Sequence, residues 1–179
     1  MATTAQEGVV AAGRVPTWIV PVAAVAVEPT EADPELLLAD LLDATGVKAD
    51  CHMDPGDISV TRTPTTKSRQ RMCQIVAETV STGETIDVTL SAVFDQQEAD
   101  SADINEVYSA LPPGAEVYVV QAWGWDSSVT PTTATVVDLF KATVQSRMKN
   151  QPTTFDEDIK FQAVLSGSAY FADVALAGA

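Results

Sequence analysis

Arg62 to Gln97 reads RTPTTKSRQRMCQIVAETVSTGETIDVTLSAVFDQQ, and its second half is the clearest strand in the chain. From Glu84 to Phe94, the residues Ile86, Val88, Leu90, Ala92 and Phe94 alternate with Asp87, Thr89 and Ser91. An apolar face and a polar face at period two are what a half-buried antiparallel strand requires. Arg69 to Thr79 alternates in the same way, and Ser81-Thr82-Gly83 between them predicts a hairpin turn. Arg62, Lys67, Arg69 and Arg71, four of the ten Lys and Arg residues, fall within ten positions of one another. They form a basic island at the end of this hairpin away from the turn.

The island is notable because the rest is acidic: 25 Asp and Glu against 10 Lys and Arg give a net charge of −15. Such a surface does not bind nucleic acid by neutralising phosphates, which takes clustered cations. The 179 residues are 46% hydrophobic and 20% charged, enough apolar matter for one cored domain and against disorder. Aromatics make up 6%, while Val, Ala and Thr abound, the usage of a β-rich fold. Cys51 and Cys73 are too few for a disulfide framework and read as reduced, buried thiols. Val15 to Val27 is too short to span a bilayer and is broken by Pro16 and Pro21. It reads as a strand segment rather than a secretory leader, in a protein made in the cytoplasm.

Outward from the hairpin, residues 1–14 read as a flexible arm and 15–179 as a single β-rich domain. Trp18 to Val25 predicts an edge or bulged strand, because Pro21 sits inside it. Asp33-Pro34 predicts a helix start, Leu37, Leu38, Leu41 and Leu42 its apolar stripe with Asp40 tending outward, and Gly46 its end. Val47 to Met53 and Asp57 to Thr63 read as strands about a turn at Asp54–Asp57, with Pro64 to Ser68 a basic loop. Ser101 to Leu111 is a second helix, with Asp103 and Glu106 at capping-box spacing and Pro112-Pro113-Gly114 stopping it. Glu116–Trp123, Val136–Met148, Ile159–Leu165 and Ala169–Leu176 complete about nine strands, the last two parted by Gly167-Ser168. The fold class is therefore mainly β, an antiparallel sandwich or barrel with one or two flanking helices.

No constellation for catalysis, cofactor or metal stands out. The single histidine, His52, lacks companions at zinc spacing, and neither Asp54/Asp57 nor Asp156/Asp158 follows a calcium-loop order. GxSxG, GxxxxGK[ST] and GxGxxG are absent. Trp123 and Trp125 flank Gly124 at a strand end, where rim aromatics stack on sugars, so a carbohydrate-binding β-sandwich module is one reading of the chain. The basic island lacks the interleaved aromatics of a nucleic-acid patch, and carboxylates on a like subunit are its better partner.

The run RTPTTKSRQRMCQ…TIDVTLSAVFDQQ, followed by INEVYSALPPGAEVYVVQAWG, resembles the major tail (tail tube) proteins of long-tailed, siphovirus-type phages of actinobacteria. The resemblance covers roughly Asp57 to Gly124 and the order of the later strands. It implies a non-enzymatic virion protein, made in the host cytoplasm, whose hexameric rings stack into a hollow conduit for DNA. The implied partners are copies of itself, a tape-measure protein, and tail tip and terminator proteins, with DNA only in transit and no membrane. A tail-completion or connector ring is the alternative within virions. On this reading Arg62, Lys67, Arg69 and Arg71 are candidates for inter-subunit or inter-ring contact. Glu84, Asp87, Thr89 and Ser91 are candidates for the lumen, where an acidic lining would let DNA pass without sticking. Lys141, Thr143, Gln145 and Arg147 offer a second, basic face, and the choice between the two faces stays open.

Overall fold

In the computed structural model the described residues are 13–43, 45–73, 76, 78–152, 154 and 157–178. The elements in chain order are β1 (Thr17–Pro21), β2 (Leu36–Leu37), α1 (Leu38–Leu42), β3 (Val47–Lys48), β4 (Ile58–Arg69) and β5 (Glu78–Val93). Then follow α2 (Glu106–Ala110), β6 (Glu116–Gln121), β7 (Val136–Lys149) and β8 (Lys160–Ala177). Short 3₁₀ turns occupy Val22–Ala24, Asp50–His52 and Asp103–Asn105. Seven strands form one antiparallel sheet in the order β3-β1-β6-β7-β8-β5-β4, and β2 adds in parallel to the end of β8.

The mainly antiparallel β class is as expected, but the layers come from one sheet and not two. The alternating residues Ile86, Val88, Leu90 and Ala92 of β5 are buried with Val117 and Val119 of β6 and Phe140, Ala142 and Val144 of β7. Val47 of β3 and Ile58 and Val60 of β4, from opposite ends of the strand order, pack against this same cluster. The sheet therefore curls around it. Phe94, Tyr108 and Phe161 close one end, with ring centroids 5.0–6.0 Å apart. On the outer side a second cluster joins Trp18, Val20, Tyr118, Val120, Leu139 and Phe171 beneath Leu36 and Leu41. The excursion between β1 and β3 thus acts as a lid over half of the outer face.

Several local expectations change, each for a physical reason. The turn predicted at Ser81–Gly83 is a bulge inside β5, where the register slips between Thr65 and Thr66 and the Thr82 hydroxyl donates to the Thr65 carbonyl. β4 runs straight through Pro64 and Lys67, the predicted loop, because it is the terminal strand, where a missing N–H is tolerated. The strand predicted over Arg69–Thr79 is not formed as such: Arg69 ends β4 and Glu78 opens β5, while residues 74, 75 and 77 lie outside the described set. Asp33 does not cap a helix, since its N–H and carbonyl close a turn with Thr30, and Leu37 takes the cap position of the shorter α1. Asp40 points inward, 8% exposed, and accepts from the Ala26 N–H. Asp103 makes no capping box, and Asn105 is the residue before α2. Cys51 and Cys73 are both exposed, not buried. Of the predicted arm, residues 1–12 lie outside the described set, whereas the Gly13 and Arg14 carbonyls accept from Ser127 and Gly124.

Gly167 does not break β8, which continues to Ala177. It lies opposite Ile86, and a Cβ there would sit 2.6 Å from the Ile86 Cβ. Only glycine permits that approach. Gly167→Ala is expected to lower stability by about 1–3 kcal/mol, the usual cost of overpacking, seen as an earlier urea midpoint at unchanged slope.

Candidate functional site

Two surfaces stand out, both built on β5. The first is the uncovered half of the outer sheet face. Cross-strand registers put Thr61, Asp87, Ser166, Thr143 and Glu116 in one row across five strands. A second row carries Ser59, Thr89, Val164 and Ser146, and a third brings Ser91 beside Gln162 and Met148. Asp87 is exposed, and Thr89 and Ser91 are half-buried. The result is a mainly polar sheet face, its first row placing two hydroxyls between two carboxylates, with Val164 and Met148 in the rows beside it.

Glu84 does not share this face. It lies three positions from Asp87 with no register slip between them, so alternation turns it to the inner side. There both its oxygens accept from Arg62 at 2.9 Å, and the guanidinium stands 4.2 Å from the Tyr170 ring centroid. Arg62 is thereby committed within its own subunit at the root of the hairpin.

The basic face predicted from Lys141, Thr143, Gln145 and Arg147 is broken up by a bulge. The register shifts between Val144 and Ser146, leaving Gln145 as the extra residue. Lys141 and Thr143 stay on the outer face while Arg147 turns inward, where its guanidinium lies 3.5 Å from the Tyr108 centroid and donates to the Tyr108 carbonyl. Lys141 meets Glu28 at 2.7 Å, and that hydrogen bond holds its ammonium above the ordinary range. Neither cation is left to line a passage.

The second surface is the hairpin itself. Beyond Arg62 and Ile86, residues 63–69 of β4 and 78–85 of β5 are exposed throughout. A two-stranded ribbon with no core on either face is marginal in water. Lys67 and Arg69 lie on it, exposed and in no ion pair among the described residues. Arg71 is exposed just past the end of β4, beside Met72 and Cys73 at the tip.

Other candidates do not converge. Among the described residues no group of three or more His, Cys, Asp or Glu is placed to hold a metal, and no helix is long and apolar enough to cross a membrane. Trp125 is half-buried, its indole donating to the Val129 carbonyl at 3.0 Å, so Trp123 is the one exposed ring of the pair, at 64%. Sequence reasoning missed Glu116 and Ser166, which reach the polar row only through pairings between strands distant in the chain. It also missed Asn105, 2% exposed, whose side chain accepts from the Asp95 N–H and donates to the carbonyls of Asp95 and Ala99.

At the far end of β8, Lys160 bridges Asp54 and Asp57, the latter at 2.7 Å. Hydrogen bonds to the two carboxylates raise its pKa above the ordinary 10.5. A raised lysine pKa stabilises the folded state fully below that value and loses its contribution as pH rises through the folded pKa. Burial raises Tyr118 and Tyr170 as well, and their ionisation acts in the same direction. Stability should fall above about pH 10.5, and Lys160→Met should make that fall shallower in denaturant midpoints taken from pH 9 to about 11.5.

The family model described as phage tail tube protein matches residues 3–179. Among solved structures, the SPP1 tail tube, determined by solid-state NMR and cryo-EM, superposes with a TM-score of 0.54 at 7% identity. It covers 92% of this chain and 79% of that one. A chain of the anti-feeding prophage baseplate gives a TM-score of 0.48 at 9% identity, covering 96% of both chains. No curated protein matches the sequence.

Proposed function

The chain belongs to the phage tail tube protein family and is a structural component of a phage tail; from that premise we propose that its copies form rings, six to a ring, that stack into the hollow tube through which DNA passes. The observation that carries this reading is the row Thr61, Asp87, Ser166, Thr143 and Glu116, an uncovered polar face on the side of the sheet opposite the main core. A lumen needs such a face. Hydroxyls and carboxylates repel or ignore phosphates, and a wall without free cations releases no counterions when DNA moves along it.

Asp87, Thr89 and Ser91 keep their place as lumen candidates, Glu116 and Ser166 join them, and Glu84 leaves the set. Lys67, Arg69 and Arg71 are the contact residues between copies, with Arg62 anchoring the hairpin that carries them. Ring closure would give β4 a neighbour at its open edge, which removes the hazard of a long unpaired strand. The chain acts without catalysis. Its partners are the tape-measure protein inside the tube and the tip and terminator proteins at its ends, after synthesis in the host cytoplasm.

Negative-stain micrographs of the concentrated protein at moderate salt should contain hollow tubes of uniform width. Isolated rings that never stack would favour a connector instead. Asp87→Lys should assemble as well as the wild type yet slow DNA delivery in a complemented phage, and undiminished delivery would remove Asp87 from the lumen.

A further inference from the structure

The two ends of β5 carry opposite charge. At its start the hairpin tip holds Lys67, Arg69 and Arg71 against Glu78. At its other end the chain passes into residues 95–106, which hold Asp95, Glu98, Asp100, Asp103 and Glu106 and no Lys or Arg. Glu98, Asp100, Asp103 and Glu106 are exposed and in no ion pair among the described residues. The loop is also held in shape. Asn105, buried at its end, ties the Asp95 N–H and the Asp95 and Ala99 carbonyls together, and the Ser109 hydroxyl donates to the Asp100 carbonyl at 2.8 Å.

The basic tip cannot satisfy itself on this loop. β5 is 16 residues long, so at about 3.3 Å per residue the two poles stand roughly 50 Å apart along the strand. We infer that the basic hairpin tip of one copy docks on the acidic 95–106 loop of a second copy. The occupant is a second copy because the cations and the carboxylates they match belong to the same chain at opposite ends. A contact between unlike patches is heterologous, and it continues from copy to copy instead of closing into a pair. This inference rests on the tube reading above and adds the acceptor and the direction of stacking.

The test is a charge exchange in the full-length chain. Lys67→Glu/Arg69→Glu and, separately, Glu98→Lys/Asp100→Lys/Asp103→Lys should each raise the protein concentration needed for tubes about tenfold or more. Thermal unfolding should stay as in the wild type. Mixing the two variants, or combining all five substitutions in one chain, should restore tubes, because each arm again meets a loop of opposite sign. Unimpaired assembly in either variant overturns the pairing and leaves the tube reading intact. So does a combined variant that folds but does not assemble. If the wild type forms no tubes, the tube reading fails, and the pairing is then decided by sedimentation. Salt-sensitive self-association lost in each variant and regained in the mixture supports it, and its absence overturns it.

Discussion

The side chain of Ile86 lies against the bare backbone of Gly167, and that contact sets the register of β5 on β8. A slip of one residue would carry Val88, Leu90 and Ala92 from the core to the outer face. The same register places Asp87 opposite Ser166, which in turn faces Thr143, so the alignment of the polar row follows from it. It also marks where the sheet ends and the free hairpin begins, since β5 residues before Ile86 have no β8 neighbour. Core, polar face and projecting arm are thus three consequences of one close approach.

Electrostatics on this scaffold is a matter of which cations are tied down. Lys141, Lys160, Arg62 and Arg147 each meet a carboxylate or an aromatic face inside their own subunit. A cation over a ring contributes about 0.5–2 kcal/mol depending on its exposure, and exposed ion pairs contribute less than about 1 kcal/mol. Their larger effect is on the surface left behind, where Lys67 and Arg69 on the hairpin stand exposed and in no ion pair among the described residues. A chain of net charge −15 therefore presents one attractive region to a neighbour of the same kind.

Much of this is legible in the sequence. The alternation from Ile86 to Phe94 identifies the core strand, whereas the cations Arg62, Lys67 and Arg69, expected in part on a loop and at a hairpin end away from its turn, lie on β4 running toward the hairpin tip. What is not legible is where alternation is interrupted. The bulge at Gln145 sends Arg147 to the opposite face from Lys141, and nothing local announces it, because a bulge is set by the partner strand. The Ser81–Gly83 run has turn composition yet lies within β5, since Gly also serves at bulges. Glu84 and Asp87 stand three positions apart, so alternation puts them on opposite faces of β5. The lid of residues 22–42 is out of reach of periodicity, for Leu36 is buried by pairing with Leu176, at the far end of the chain.

The open edge of β4 has a bearing on timing. A strand of 12 residues with one open edge is a template for premature pairing. Pro64 removes one donor, and the lysine and arginines beside it discourage flat strand addition by an identical strand. Beyond a Debye length of about 8–10 Å, the acid surplus makes two approaching copies repel. Short-range complementarity and long-range repulsion together create a nucleation barrier. On the pairing inferred above, such a chain would stay dispersed while dilute and assemble only once its concentration overcomes that barrier, so that salt and concentration would set the onset of the polymer.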